Sequence, residues 1–127
     1  MVVISNSTLS DGFTCFAKSL DYENIQDIIA QSDLIVNSTP LGMDKHNEER
    51  VSILNSNKLS KSTYVYDLVY SPIQTPLIEQ ANSVGARALG GLPMLIYQGA
   101  SAFTMWTSRE APVELMFEAA NKALNIK

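Results

Sequence analysis

The sequence predicts a single α/β domain built on a mainly parallel sheet flanked by helices. Three observations carry this expectation. Short apolar runs of strand length alternate with stretches of helical periodicity. Small polar residues and glycines gather just after each apolar run, the end at which open parallel sheets bind ligands. The chain has 127 residues, 46% hydrophobic and 17% charged, which suffices for one packed core and not for two.

Val2, Val3 and Ile4 form a β-branched run closed by polar residues, which reads as a buried parallel strand. Phe13, Phe16, Ala17 and Leu20 recur at helical spacing and predict a helix entered near Ser10 or Asp11. Ile25, Ile28 and Ile29 predict a second helix over residues 23–31. Leu34, Ile35 and Val36 read as a strand leaving through Asn37, Ser38, Thr39 and Pro40. Residues 44–50 are charged and loop-like, and residues 51–59 read as a short helix or turn. A third strand, rich in aromatic and β-branched residues, spans 64–69. Thr75 and Pro76 open a helix as cap and first-turn residue, with Leu77, Ile78, Ala81 and Val84 on its apolar face. Gly85 ends that helix, and residues 86–89 make a short fourth strand. Gly90 and Gly91 break the chain. Residues 92–107 then form a long helix, apolar nearly all round and so expected to be well buried. Pro112 opens a last helix with Val113, Met116, Phe117, Ala120 and Leu124 inward.

Composition removes several function classes. Nine Lys and Arg against 13 Asp and Glu give a net charge of −4, which argues against nucleic acid or an anionic membrane as partner. No apolar run is long enough to span a bilayer. The start, MVVISNST, lacks the basic residues and long apolar stretch of a signal peptide. The lone Cys15 leaves no internal disulfide and no cysteine-based zinc site, which fits a reduced, cytoplasmic setting. No metal-ligand spacing appears. His46 falls in a charged loop and Cys15 in an apolar stretch. Asp67 falls in a buried strand, where a carboxyl needs hydrogen bonds and reads as a loop brace rather than a general acid. No complete catalytic set emerges, so no catalytic residue is assigned.

Residues that follow the strands suit a nucleotide site and serve equally as turn formers: Asn6 and Thr8, then Asn37 to Met43, then Tyr70, then Gly90 and Gly91. On the long helix, Gly91, Met94, Gln98, Ser101 and Met105 fall on one stripe. Gln98 there would meet a bound polyol or bond backbone carbonyls.

VNSTPLGM (residues 36–43), VYDLVYSPIQTPL (65–77) and GLPMLIYQGASAFTMW (91–106), in this order, resemble the shikimate dehydrogenases over nearly the whole chain. VVISNST (2–8) is similar to that family's second strand, which carries Asn-Arg-Thr. The resemblance implies an incomplete Rossmann-like cofactor domain over residues 1–127. It also implies reduction of 3-dehydroshikimate to shikimate with NADPH. It places Ser38, Thr39 and Pro40 beside the nicotinamide ribose, and Leu68, Gly91, Met94 and Leu95 around the nicotinamide. It assigns Asn6 and Thr8 to the cofactor as well, and it turns Tyr70 and Gln98 toward the substrate.

The departures are equally specific. The family's N-terminal half, with its substrate site and its catalytic Lys and Asp, has no counterpart in this sequence. Neither do its first strand and glycine-rich phosphate loop. The family's Arg, which stacks on adenine and pairs with the 2′-phosphate, is Ser7 here, and this weakens the NADP expectation. The reading is therefore a C-terminal cofactor-domain fragment, inactive alone. The alternatives are a non-catalytic nucleotide- or small-molecule-binding module, or an oligomerising remnant. Loss of the first strand opens a gap in the strand order 3-2-1-4-5-6. Either residues 2–5 move into the vacant slot, or a second copy covers the bare edge as a homodimer.

Overall fold

A computed structural model describes residues 2–4, 16–18, 22–43, 54 and 58–124. The elements run β1 (Val2–Ile4), β2 (Phe16–Lys18), α1 (Tyr22–Gln31), β3 (Leu34–Asn37), β4 (Tyr64–Asp67), α2 (Pro76–Ser83), β5 (Arg87–Leu89), α3 (Leu92–Thr107) and α4 (Val113–Ala123). Strands β3, β4 and β5 form a parallel sheet in that order, and helices flank it. The α/β class and its parallel core are as the sequence predicts.

The N-terminal segment differs from expectation. β1 pairs antiparallel with β2, Val2 opposite Lys18 and Ile4 opposite Phe16. It is therefore not a parallel strand, and it does not enter the slot beside β3. The helix expected around Phe16 and Ala17 is replaced by a strand there, while Phe13 and Leu20 lie outside the described residues. The helical spacing of four apolar residues competes with Gly12 and the β-branched Thr14, both poor helix formers. Cross-strand pairing with Val2–Ile4 satisfies the backbone groups that a helix would have used.

The sheet is two-faced because its register is exact in period 2. Ile35, Val65 and Ala88 stand in one row, with Asn37 and Asp67 paired one step further along. This face is the covered one. Ile25 and Ile29 of α1 join Leu77 and Ala81 of α2, with Leu54, Leu59, Val65 and Ala86, in one core. Ile35, Val84 and Ala88 pack against it half-buried. The helix start at Thr75 is as the sequence predicts. Its hydroxyl accepts the Ile78 N–H at 3.3 Å, and Pro76 occupies the first turn. Gly85 ends the segment at φ +77°, where a side chain would be strained.

Among the described residues the opposite face is largely exposed, with Tyr66 half-buried on it. Leu34, Tyr64 and Arg87 form one cross-strand row, and Val36, Tyr66 and Leu89 form the next. Leu34 is 59% exposed and Leu89 51%. Among the described residues β3 pairs only with β4, and no described strand lies on its other edge.

α3 has the predicted bounds but not the predicted burial. Only Ile96 and Ala100 are buried, while Tyr97, Phe103, Met105 and Trp106 are exposed. The helix packs on α4, with the Tyr97 and Phe117 rings edge-to-face at 5.7 Å and Gly99 close to Met116. Among the described elements one helix neighbour covers one stripe, which leaves the rest of a mostly apolar helix in solvent. The inward face of α4 is half-buried for the same reason: Val113, Met116, Phe117, Ala120 and Leu124 are the covered positions, yet none is fully buried.

Candidate functional site

The carboxyl ends of the three parallel strands are stitched into one rim by backbone hydrogen bonds. Leu68 N–H donates to the Asn37 carbonyl at 3.0 Å, which sets the loop after β4 beside the loop after β3. Gly91 N–H donates to the Val69 carbonyl at 3.0 Å, which sets the start of α3 beside the loop after β4. Gly91 approaches so closely that a Cβ there would lie 2.1 Å from the Leu68 carbonyl oxygen. Glycine is thus required at this position by proximity rather than by a left-handed backbone, since its φ is −78°.

Behind the rim sits a buried polar network. Asn37 and Asp67 are register partners on the covered face and are 1% and 0% exposed. Asn37 Nδ2 donates to Asp67 Oδ1 at 2.9 Å and to the Leu41 carbonyl at 3.2 Å. Asn37 Oδ1 accepts from the Thr39 N–H at 3.0 Å and the Thr39 hydroxyl at 2.7 Å. The amide can have only this orientation, because a flip would set its oxygen against two acceptors. Asp67 Oδ1 also accepts the Val69 N–H at 3.1 Å, and Oδ2 accepts the Thr75 hydroxyl at 2.6 Å. Every partner of Asp67 is a donor. Asp67 is the brace that the sequence reading expects, and its partners Asn37 and Thr75 are findings of the structure. The signal was present in the alternation. Asn37 follows Ile35 by two and Asp67 follows Val65 by two, so a polar residue ends the core row on both strands.

The site residues read from the sequence fall into three groups. Thr39, Leu68, Gly91, Met94 and Leu95 lie on the rim. Gly91 is buried, while Thr39, Leu68, Met94 and Leu95 are half-buried. Thr39 spends its one hydroxyl proton on Asn37 and accepts the Leu41 N–H at 3.3 Å, so it can accept from a ligand but not donate to it. Ser38 and Pro40 are on the same loop and exposed. Tyr70, just past β4, and Gln98, two turns into α3, are also exposed, so Gln98 has no burial cost that a backbone partner must offset. Asn6 and Thr8 lie outside the described residues, as does Ser7. Among the described residues no group of acidic, His or Cys side chains could hold a metal ion, and no helix is long and apolar enough to cross a membrane.

Residues 91–120 match the family model described as the Shikimate 5'-dehydrogenase C-terminal domain. The chain is 42% identical over 108 residues to the shikimate dehydrogenase (NADP(+)) of Methanopyrus kandleri. This chain belongs to the shikimate dehydrogenase family, over the C-terminal part of its members. Solved members superpose well. The Listeria monocytogenes shikimate 5-dehydrogenase, in complex with shikimate and NAD, gives a TM-score of 0.70 at 37% identity over 79% of this chain. A Corynebacterium glutamicum quinate dehydrogenase, in complex with NAD, gives 0.69 at 38% identity over 76%. The match covers 85% of this chain but 37% of the Methanopyrus protein, so the chain spans little more than a third of that relative's length. In the two solved relatives the covered shares are 34% and 33%. The fold of this family member is the Rossmann-like one its relatives share, here as a three-stranded parallel sheet with its helices.

Proposed function

We propose that residues 1–127 form one partial cofactor domain, supplying the nicotinamide end of a site of the shikimate dehydrogenase type within a larger catalytic unit. One observation carries this reading. The loop bearing Ser38, Thr39 and Pro40, the residue Leu68 and the first turn of α3 are fastened side by side at the ligand end of the sheet. Leu68, Met94 and Leu95 remain half-exposed there, as an aliphatic wall that a flat ring could cover. The polar loop on the other side suits ribose hydroxyls. The residues present therefore fit the ring end of a nicotinamide nucleotide, and Asn6 and Thr8 are assigned to its other end.

When bound, that nucleotide supplies the hydride that reduces 3-dehydroshikimate to shikimate. Leu68, Met94 and Leu95 exclude water from one side of the ring. Tyr70 and Gln98, exposed beyond the wall, face substrate hydroxyls or carboxylate. NADP(H) is the proposed cofactor, since the Methanopyrus relative carries that name, with NAD(H) as its competitor because the Listeria and Corynebacterium relatives were solved with NAD. The family's catalytic Lys and Asp have no counterpart in this sequence, so the chain alone is expected to give no turnover. The bare edge of β3 and the uncovered face around Leu34, Val36 and Leu89 receive the rest of the unit or a second copy, in the cytoplasm.

A calorimetric titration with NADPH and then NADH, both with shikimate present, tests this. Heat of binding with either nucleotide, and no dehydrogenase turnover, is the expected result. Absence of binding at millimolar nucleotide would overturn it and leave an interaction module.

A further inference from the structure

We infer that Asp67 is a positioning residue that holds the two loops walling the proposed nucleotide site in one fixed relation. Its carboxylate accepts hydrogen bonds from Asn37, Val69 and Thr75. It acts through Asn37, whose amide it orients by accepting from Nδ2 at 2.9 Å. That orientation turns Oδ1 toward the Thr39 N–H and hydroxyl, and it gives the Leu41 carbonyl a donor. The same carboxylate accepts the Val69 N–H, fixing the loop that carries Leu68 and Tyr70 and that receives Gly91. Its other oxygen takes the Thr75 hydroxyl, which ties both loops to the start of α2. One fully buried side chain thus joins three segments separated by up to 38 positions, Asn37 to Thr75. A hydrophobic residue at the end of the core row would pack as well against α2 but would leave Asn37 free to turn. The three donors, all within 3.1 Å, give Asp67 a role that core packing does not need.

The consequence for nucleotide binding rests on the function proposed above, while the consequence for loop geometry does not. Asp67→Ala removes both acceptor oxygens, including the Oδ1 that holds Asn37 and the Val69 N–H. The expected result is displaced amide resonances of Thr39 and Leu41 in the free protein, together with an NADP+ affinity lower by roughly tenfold. Gly85→Ala is the control: it strains a turn remote from the rim and lowers stability, yet leaves the Thr39 and Leu41 resonances in place. If Asp67→Ala does not fold, Thr39→Val tests the link from its other end, and the Val69 amide resonance is expected to move. Should the unaltered chain fail to bind NADP+, the proposed function falls, and the free-protein resonances still decide the positioning role. Unmoved Thr39 and Leu41 resonances in Asp67→Ala, or an unmoved Val69 in Thr39→Val, would overturn it.

Discussion

Asn37→Asp is expected to cost on the order of 3–5 kcal/mol of folding stability, measured as the shift of a urea unfolding curve at neutral pH. The substitution changes one atom and almost no volume. It removes the donor that serves both Asp67 Oδ1 and the Leu41 carbonyl. It then sets a second carboxylate against Asp67 at a site where both residues are nearly inaccessible to water. Two like charges at hydrogen-bond distance in a low-dielectric interior repel strongly, and the register of β3 on β4 holds the two positions side by side. The same charge placed at Leu34, on the exposed face and three positions earlier, costs under about 1 kcal/mol. Equal losses at the two positions would mean that the chain tolerates no added acid anywhere on β3, and the buried network would lose its explanatory role.

Gly91→Ala has the second largest expected effect, a loss of about 3 kcal/mol and a melting temperature lower by roughly 10 °C. The added methyl would sit 2.1 Å from the Leu68 carbonyl oxygen, with the carbonyl carbon at 2.5 Å. Both obstructing atoms are backbone, so no rotamer change relieves the contact. Either α3 moves away or the loop after β4 does, and each movement breaks the bond from Gly91 N–H to the Val69 carbonyl. Gly90 next to it gives the comparison. A Cβ there meets the flexible end of Ile78 at 3.3 Å, so Gly90→Ala costs under about 1 kcal/mol. Thermal unfolding of the two variants side by side decides whether close approach, rather than chain flexibility, explains the glycine pair.

Much of this architecture is legible in the residues themselves. β3, β4, α2 and α3 are strong because several signals agree at each: apolar runs of strand length, Thr75 with Pro76 at a helix start, and Gly85 and Gly90 at the stops. The N-terminal region is where a single signal misleads. Phe16 and Ala17 fit a helical face, but three residues of spacing cannot outweigh a nearby β-branched partner, and Phe16–Lys18 pairs with Val2–Ile4 instead. The burial of α3 is misjudged for a different reason. Apolarity on every side tells how much surface a helix could bury, and not whether a neighbour is there to bury it. Among the described elements α4 is the one packed closely on it, and Met105 and Trp106 face solvent.

For the site, Asn37 to Met43, Tyr70 and Gly90–Gly91 follow from the alternation of strands and loops, since ligands collect at carboxyl ends of parallel strands, whereas Leu68, Met94 and Leu95 come from the family resemblance. What the linear sequence conceals is pairing between distant residues. Asp67 needed hydrogen bonds on any reading, yet that Asn37 and Thr75 supply them depends on the register of β3 against β4 and on the path of α2. The same holds for Thr39. Its residue type suggests a donor to a ribose, and only the observed bond to Asn37 shows that its proton is already committed.

The most direct test of the central claim is a map of amide resonances in the chain as NADPH is added. Binding at the rim predicts that Ser38, Thr39 and Leu41, then Leu68, then Met94 and Leu95 shift together along one titration curve. Shifts confined to the bare face around Leu34, Tyr64 and Leu89, or no shifts at all, would contradict a nicotinamide site at the ends of the strands.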